Sequence, residues 1–131
     1  MLPLLASLLL TWTPAQGSDF AWHRYDDQVQ YGILESDDRM VSLGCASPGR
    51  IWLTVPTNGS PKMVWINGQP YAAELVVRGD GDNLEVVLDI DAEPISRLAD
   101  DEGITVRIQD VGWNMPGGAG GLMQELIERC A

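Results

Sequence analysis

The sequence predicts an α+β, β-rich fold: a small antiparallel sheet or sandwich of six to seven strands with a covering helix at its C-terminus. Three observations predict it. Short runs of alternating apolar and polar residues recur with turn residues between them, the mark of half-buried strands. Asn67-Gly68 sits between two such runs, and both positions of a type I′ hairpin turn need positive φ. Residues 122–130 then switch to helical spacing, with Leu122, Met123, Leu126, Ile127 and Cys130 on one side and Gln124, Glu125, Glu128 and Arg129 on the other.

The elements follow in order. Residues 18–27 (SDFAWHRYDD) are polar with aromatic insertions and read as a lead-in laid across the domain. Residues 28–34 place Val29, Tyr31 and Ile33 on one face of a strand. Residues 39–45 alternate Val41, Leu43 and Cys45 against Met40, Ser42 and Gly44, and residues 50–55 set Ile51, Leu53 and Val55 opposite Trp52 and Thr54. Turns at Glu35–Asp38 and Ala46–Gly49 make these three runs a meander. The loop Pro56–Pro61 leads to a strand over 62–66, the Asn67-Gly68 turn and a return arm from Gln69 to Val77, in which Pro70 limits pairing near the turn. Arg78–Asn83 reads as a tight turn. Leu84–Ile90 is the clearest strand, with Leu84, Val86, Leu88 and Ile90 on one face. Asp91 is placed to cap a short helix over Glu93–Ala99, with Pro94 near its start. Ile104–Val111 is a last strand, and the glycine-rich stretch Gly112–Gly121 reads as a flexible connector to the terminal helix.

Residues 1–17 carry the pattern of a secretory signal, and residues 18–131 form a single domain. A short leucine-rich run ends at Pro14 and the small-residue site Ala15-Gln16-Gly17. The run of about 11 apolar residues is roughly 17 Å as a helix, too short for a hydrocarbon core of about 30 Å. The expected setting is therefore periplasmic or secreted, with no membrane insertion after signal removal. Export implies an oxidising compartment, where the two cysteines, Cys45 and Cys130, are expected to pair. Both lie on apolar faces, so the bridge is expected in the core, clamping the helix to the second strand. Closing a loop of about 85 residues is worth roughly 4–5 kcal/mol in the chain-entropy model.

Nineteen Asp+Glu against eight Lys+Arg give a net charge of −11. That balance argues against nucleic-acid binding and against anionic lipid, both of which need clustered Lys and Arg. It disfavours self-association as well, so the expected state is a monomer. His23 is the single histidine, which leaves a hydrolytic triad or a multi-histidine metal site without its parts. No P-loop, His-Glu-x-x-His or Gly-x-Ser-x-Gly pattern occurs, and no cofactor or metal is expected. Asp80-Gly81-Asp82-Asn83 offers oxygen ligands but lacks the spacing and distant Glu of an EF-hand. Asp80 and Asp82 are instead candidate contacts for a cationic partner. Trp52, Trp65 and Trp113 are the aromatic candidates, because exposed aromatics beside carboxylates suit a basic ligand.

The leucine-rich leader, Trp22, Asp26-Asp27 before the first strand, Cys45 at a strand end and the terminal helix ending in Cys130 together resemble the layout of small exported bacterial proteins of uncharacterised function. The resemblance implies an envelope or periplasmic setting and no activity. The function expected is a non-catalytic, disulfide-stapled binding or accessory domain that shows an acidic, aromatic face to a basic protein or cationic ligand. One alternative is an inhibitor of a basic cell-wall hydrolase such as lysozyme, inserting Arg78–Asn83 or Trp113–Gly121 into its cleft. The other is a hydrolase using paired carboxylates, although the acids are scattered at turns and no pair stands out.

Overall fold

The computed structural model describes residues 20–33, 39–78 and 81–131. The signal expected over residues 1–17, the turn at Glu35–Asp38 and the candidate Asp80 lie outside the described residues. The strands are β1 (Ala21–Tyr25), β2 (Gln28–Gly32), β3 (Arg39–Ser47), β4 (Arg50–Pro56), β5 (Met63–Ile66), β6 (Gln69–Ala72), β7 (Glu74–Arg78), β8 (Gly81–Asp89), β9 (Ile104–Ile108) and β10 (Val111–Met115). The helices are α1 (Glu93–Ala99) and α2 (Gly120–Cys130). One sheet runs β1-β2-β3-β4-β8-β7 and the other β10-β9-β5-β6, with every pairing antiparallel.

The β-rich class and the C-terminal helix are as the sequence predicts. The extra strands have physical origins. The lead-in is strand β1, paired with β2 from Ala21↔Gly32 to Tyr25↔Gln28. The return arm after Asn67-Gly68 breaks at Ala73, whose N–H donates to the Lys62 carbonyl at 2.9 Å, so β6 stays in the small sheet and β7 joins the large one. The expected flexible connector begins as β10, paired with β9 from Ile104↔Met115 to Ile108↔Val111. Residues 81–83, expected in a turn, already belong to β8.

Register turns the alternation into a core. Val29, Leu43, Leu53 and Val86 stand opposite one another across β2, β3, β4 and β8, and all four are fully buried. Burying one such Leu or Val is worth about 1.5–3 kcal/mol. The small sheet adds Val64, Ile66, Ile104, Val106 and Ile108, while the helices add Ile95, Leu98, Met123 and Leu126, in one continuous cluster.

The bridge between Cys45 and Cys130 is present, with Cα atoms 5.4 Å apart. Its position differs from expectation: Cys130 is buried, but Cys45 is exposed, because β2 begins at Gln28 and leaves Cys45 with a strand neighbour on β4 alone, the buried Ile51. The Gly49 N–H, in the β3–β4 turn, donates to the Cys130 carbonyl and satisfies an end of α2 beside the bridge. Asp91 does not cap α1; the N-cap is Ala92, in extended conformation and without a side-chain bond. The Asn67-Gly68 turn has positive φ at both residues, 51° and 81°, as predicted. Its Asn67 Oδ1 also accepts the Thr105 N–H at 2.9 Å, so the turn is sewn to β9.

Candidate functional site

The three aromatic candidates do not form one patch. Trp52 is on the face of the large sheet opposite Ile51, Leu53 and Val55, and is only 7% exposed. Its ring lies across Gly44, its partner on β3, where a Cβ would overlap the indole. Helix α2 is not its cover, since the bridge to Cys45 holds that helix on the other face. Burial removes Trp52 as a binding contact.

Trp65 and Trp113 belong to the small sheet but to opposite faces of it. Trp65 stands opposite Arg107 on β9, and Arg107 stands opposite Gly112 on β10. The Arg107 guanidinium lies 4.5 Å above the Trp65 ring, a cation–π contact. The same group donates to the Gln109 carbonyl at 2.7 Å. Trp65 is thus half-covered by a cation of its own chain. A depression of about 350 Å³ runs beside this stack, bordered by Thr105, Asn114 and also Trp113.

Trp113 stands opposite the buried Val106, so it points toward the space between the sheets. There it lines a cleft of about 290 Å³ between the Pro56–Pro61 loop and the β9–β10 hairpin, together with Ile108 and Val111. The two prolines and Thr57 fix the opposite wall. The volume is at the lower limit of small-molecule sites and suits one large side chain. Asp82 borders this end of the molecule: its carbonyl accepts the Thr57 N–H at 3.2 Å, and its side chain is exposed. The sequence named Trp113 and Asp82 but not Pro56, Pro61, Ile108 or Val111. Loop prolines and a strand-end valine carry no binding signal until the hairpin brings them together.

Among the described residues, three arginines are engaged in ion pairs. Arg24 pairs with Glu125 at 3.0 Å, Arg50 with Asp89 at 3.1 Å, and Arg97 with Glu102 at 3.3 Å. The cleft lining itself carries no charged side chain; exposed Asp82 and Asp110 adjoin it, as do exposed Lys62, next to Pro61, and Arg107, bonded to the Gln109 carbonyl. His23 Nδ1 lies 3.2 Å from the Ala21 carbonyl, a local contact on β1. Burial pushes the Tyr31 phenol up from its ordinary value. Among the described residues no group of three or more His, Cys, Asp or Glu side chains is placed to hold a metal ion, and no helix is long and apolar enough to cross a membrane. No protein-family model, curated protein or solved structure matches this chain.

Proposed function

We propose that the chain is an exported, acidic binding domain of the bacterial envelope, without catalytic activity, that captures a basic protein by an apolar or aromatic side chain seated against Trp113. The observation that carries the reading is the cleft between the Pro56–Pro61 loop and the β9–β10 hairpin, with one aromatic wall and a mostly apolar lining. An aromatic anchor in a pocket within a charged surround is the usual anatomy of a protein-binding hot spot. The net charge of −11 would steer a basic partner to it, mainly by raising the association rate.

The test is a nuclear magnetic resonance titration of the purified chain with the tripeptide Lys-Trp-Lys. Shifts of the Trp113 indole and of the Thr57 and Asp82 amides, weakening as salt is added, support the reading. Shifts confined to the Trp65 indole, or none at Trp113, overturn it. Of the segments the inhibitor alternative would insert, Gly81–Asn83 belongs to β8 and Trp113–Met115 to β10.

A further inference from the structure

Strand β10 is an edge of the small sheet and pairs with β9 alone. Its ladder leaves alternate backbone groups without a partner strand. Thr105, which stands opposite Asn114, donates its N–H to Asn67 Oδ1 at 2.9 Å, and its carbonyl accepts the Asn67 N–H at 2.9 Å. Both groups therefore face β5, and the Thr105–Asn114 pair exchanges no ladder bond. The Arg107–Gly112 pair, two residues nearer the turn, has the same parity. The N–H and C=O groups of Gly112 and Asn114 thus aim away from the sheet, and both residues are exposed.

A hollow lies on each side of this edge. One is the Trp113 cleft, the other is the depression beside the Trp65–Arg107 stack, and Trp113 borders both. Gly112 has no reason of its own to be glycine. Its φ is outside the left-handed region, and a Cβ there would meet its nearest neighbour, the Val106 carbonyl oxygen, at an ordinary 3.6 Å. The β9–β10 register is regular, without a bulge. Of the usual reasons for a glycine inside a strand, close approach of a ligand or of another backbone remains.

We propose that β10 takes up an extended segment of the basic partner as an added antiparallel strand. The proposal rests on the Trp113 reading and supplies the captured side chain with a backbone. Antiparallel pairing is the more stable kind and the one every ladder of the domain uses. The anchor residue stands opposite Trp113, at a position without ladder bonds, where cross-strand side chains come closest. The residues before and after it stand opposite Asn114 and Gly112 and exchange both backbone bonds with them. Their side chains fall on the outer face, the later one over Gly112. That one is apolar: it lands on the Arg107 stem, whose Cβ and Cγ would lie 3.9 Å from a Cβ at Gly112, and the guanidinium disfavours a second cation. The third residue after the anchor comes level with Asp110, exposed and in no ion pair among the described residues, and is Lys or Arg. A net charge of −11 favours that cation throughout the approach. Strand addition draws affinity from main-chain bonds and specificity from pockets for alternate side chains.

The probe is the peptide acetyl-Val-Trp-Leu-Thr-Lys-amide, titrated into the purified chain and followed by nuclear magnetic resonance. The Trp113 indole should shift, and the Gly112 and Asn114 amides should move downfield and exchange more slowly with solvent. N-methylation of the peptide's Leu, whose N–H is to bond the Gly112 carbonyl, should weaken binding about tenfold. N-methylation of its Trp, whose N–H faces away from the sheet, should leave binding unchanged. A Trp113 shift without protection at Gly112 and Asn114 overturns the added strand and leaves the Trp113 reading standing. So does a Trp113 shift with the two methylated peptides binding alike or in the reverse order. No shift at Trp113 overturns both.

Discussion

Asp101 Oδ1 accepts the Gly120 N–H at 3.0 Å, so helix α2 is capped by a residue 19 positions upstream, just beyond the end of α1. The residue at the N-cap itself, Ala119, has no side chain for the task. Asp101 holds φ at 66°, a left-handed conformation that Asp tolerates better than most residues. One short turn therefore ends the first helix and begins the second.

Replacing that carboxylate tests the cap. Asp101→Ala should cost about 1 kcal/mol of stability, the usual value of a lost N-cap, whereas Asp101→Asn should retain most of it. Urea denaturation of the three proteins reads the difference.

Gly117 sits against the same turn. A Cβ there would collide with the Asp101 carbonyl oxygen, which belongs to backbone and cannot swing aside. Gly117→Ala should be more destabilising than Asp101→Ala and should loosen α2, visible as faster amide exchange along Gly120–Cys130.

Gly44 is required by a ring rather than a turn. Gly44→Val would drive a branched side chain into the Trp52 indole, with a cost of about 1–3 kcal/mol for overpacking. The displaced ring should redden the tryptophan emission and alter the near-ultraviolet circular dichroism, while the far-ultraviolet spectrum stays β-rich.

The bridge closes a loop over a sequence separation of 85. Replacing both Cys45 and Cys130 by Ser should lower the unfolding free energy by roughly 4–5 kcal/mol in the chain-entropy model, measured as the urea midpoint without reductant.

Tyr31 sets an alkaline limit. Its phenol is raised above 10.0 by burial, so the folded chain keeps the proton longer than the unfolded chain does. Its contribution is complete below pH about 10 and is lost as pH rises through the folded value. Stability should fall as pH rises above about 10, less steeply in Tyr31→Phe; equal slopes in the two proteins would discount the phenol.

What the sequence revealed, and what it hid, follows from how each element is specified. Rows such as Val29–Leu43–Leu53–Val86 announce themselves because each strand alternates on its own. The Asn67-Gly68 hairpin is legible because its residues favour positive φ. The β9–β10 hairpin turns at Gln109, with φ 52°, and no residue preference advertises Gln there. Strand β1 was hidden because its inward residues, Trp22 and Arg24, are not an apolar pattern. Trp22 is held by a bond from its indole N–H to the Pro116 carbonyl at 2.8 Å, and Arg24 by Glu125. The Trp113 cleft was half legible: the aromatic residue is conspicuous, but its walls come from segments about fifty residues apart, and local patterns do not report such meetings.

The position of Cys45 within the chain sorts the domain into two kinds of attachment. Everything from the far end of β3 to the end of α2 is enclosed by one covalent circle. The hairpin Ala21–Gly32 precedes it and is moored by ladder bonds, Trp22 on Pro116 and Arg24 on Glu125. Any opening of that hairpin leaves the circle shut, so its hold on the domain rests on the burial of Val29 and Tyr31 rather than on the bridge.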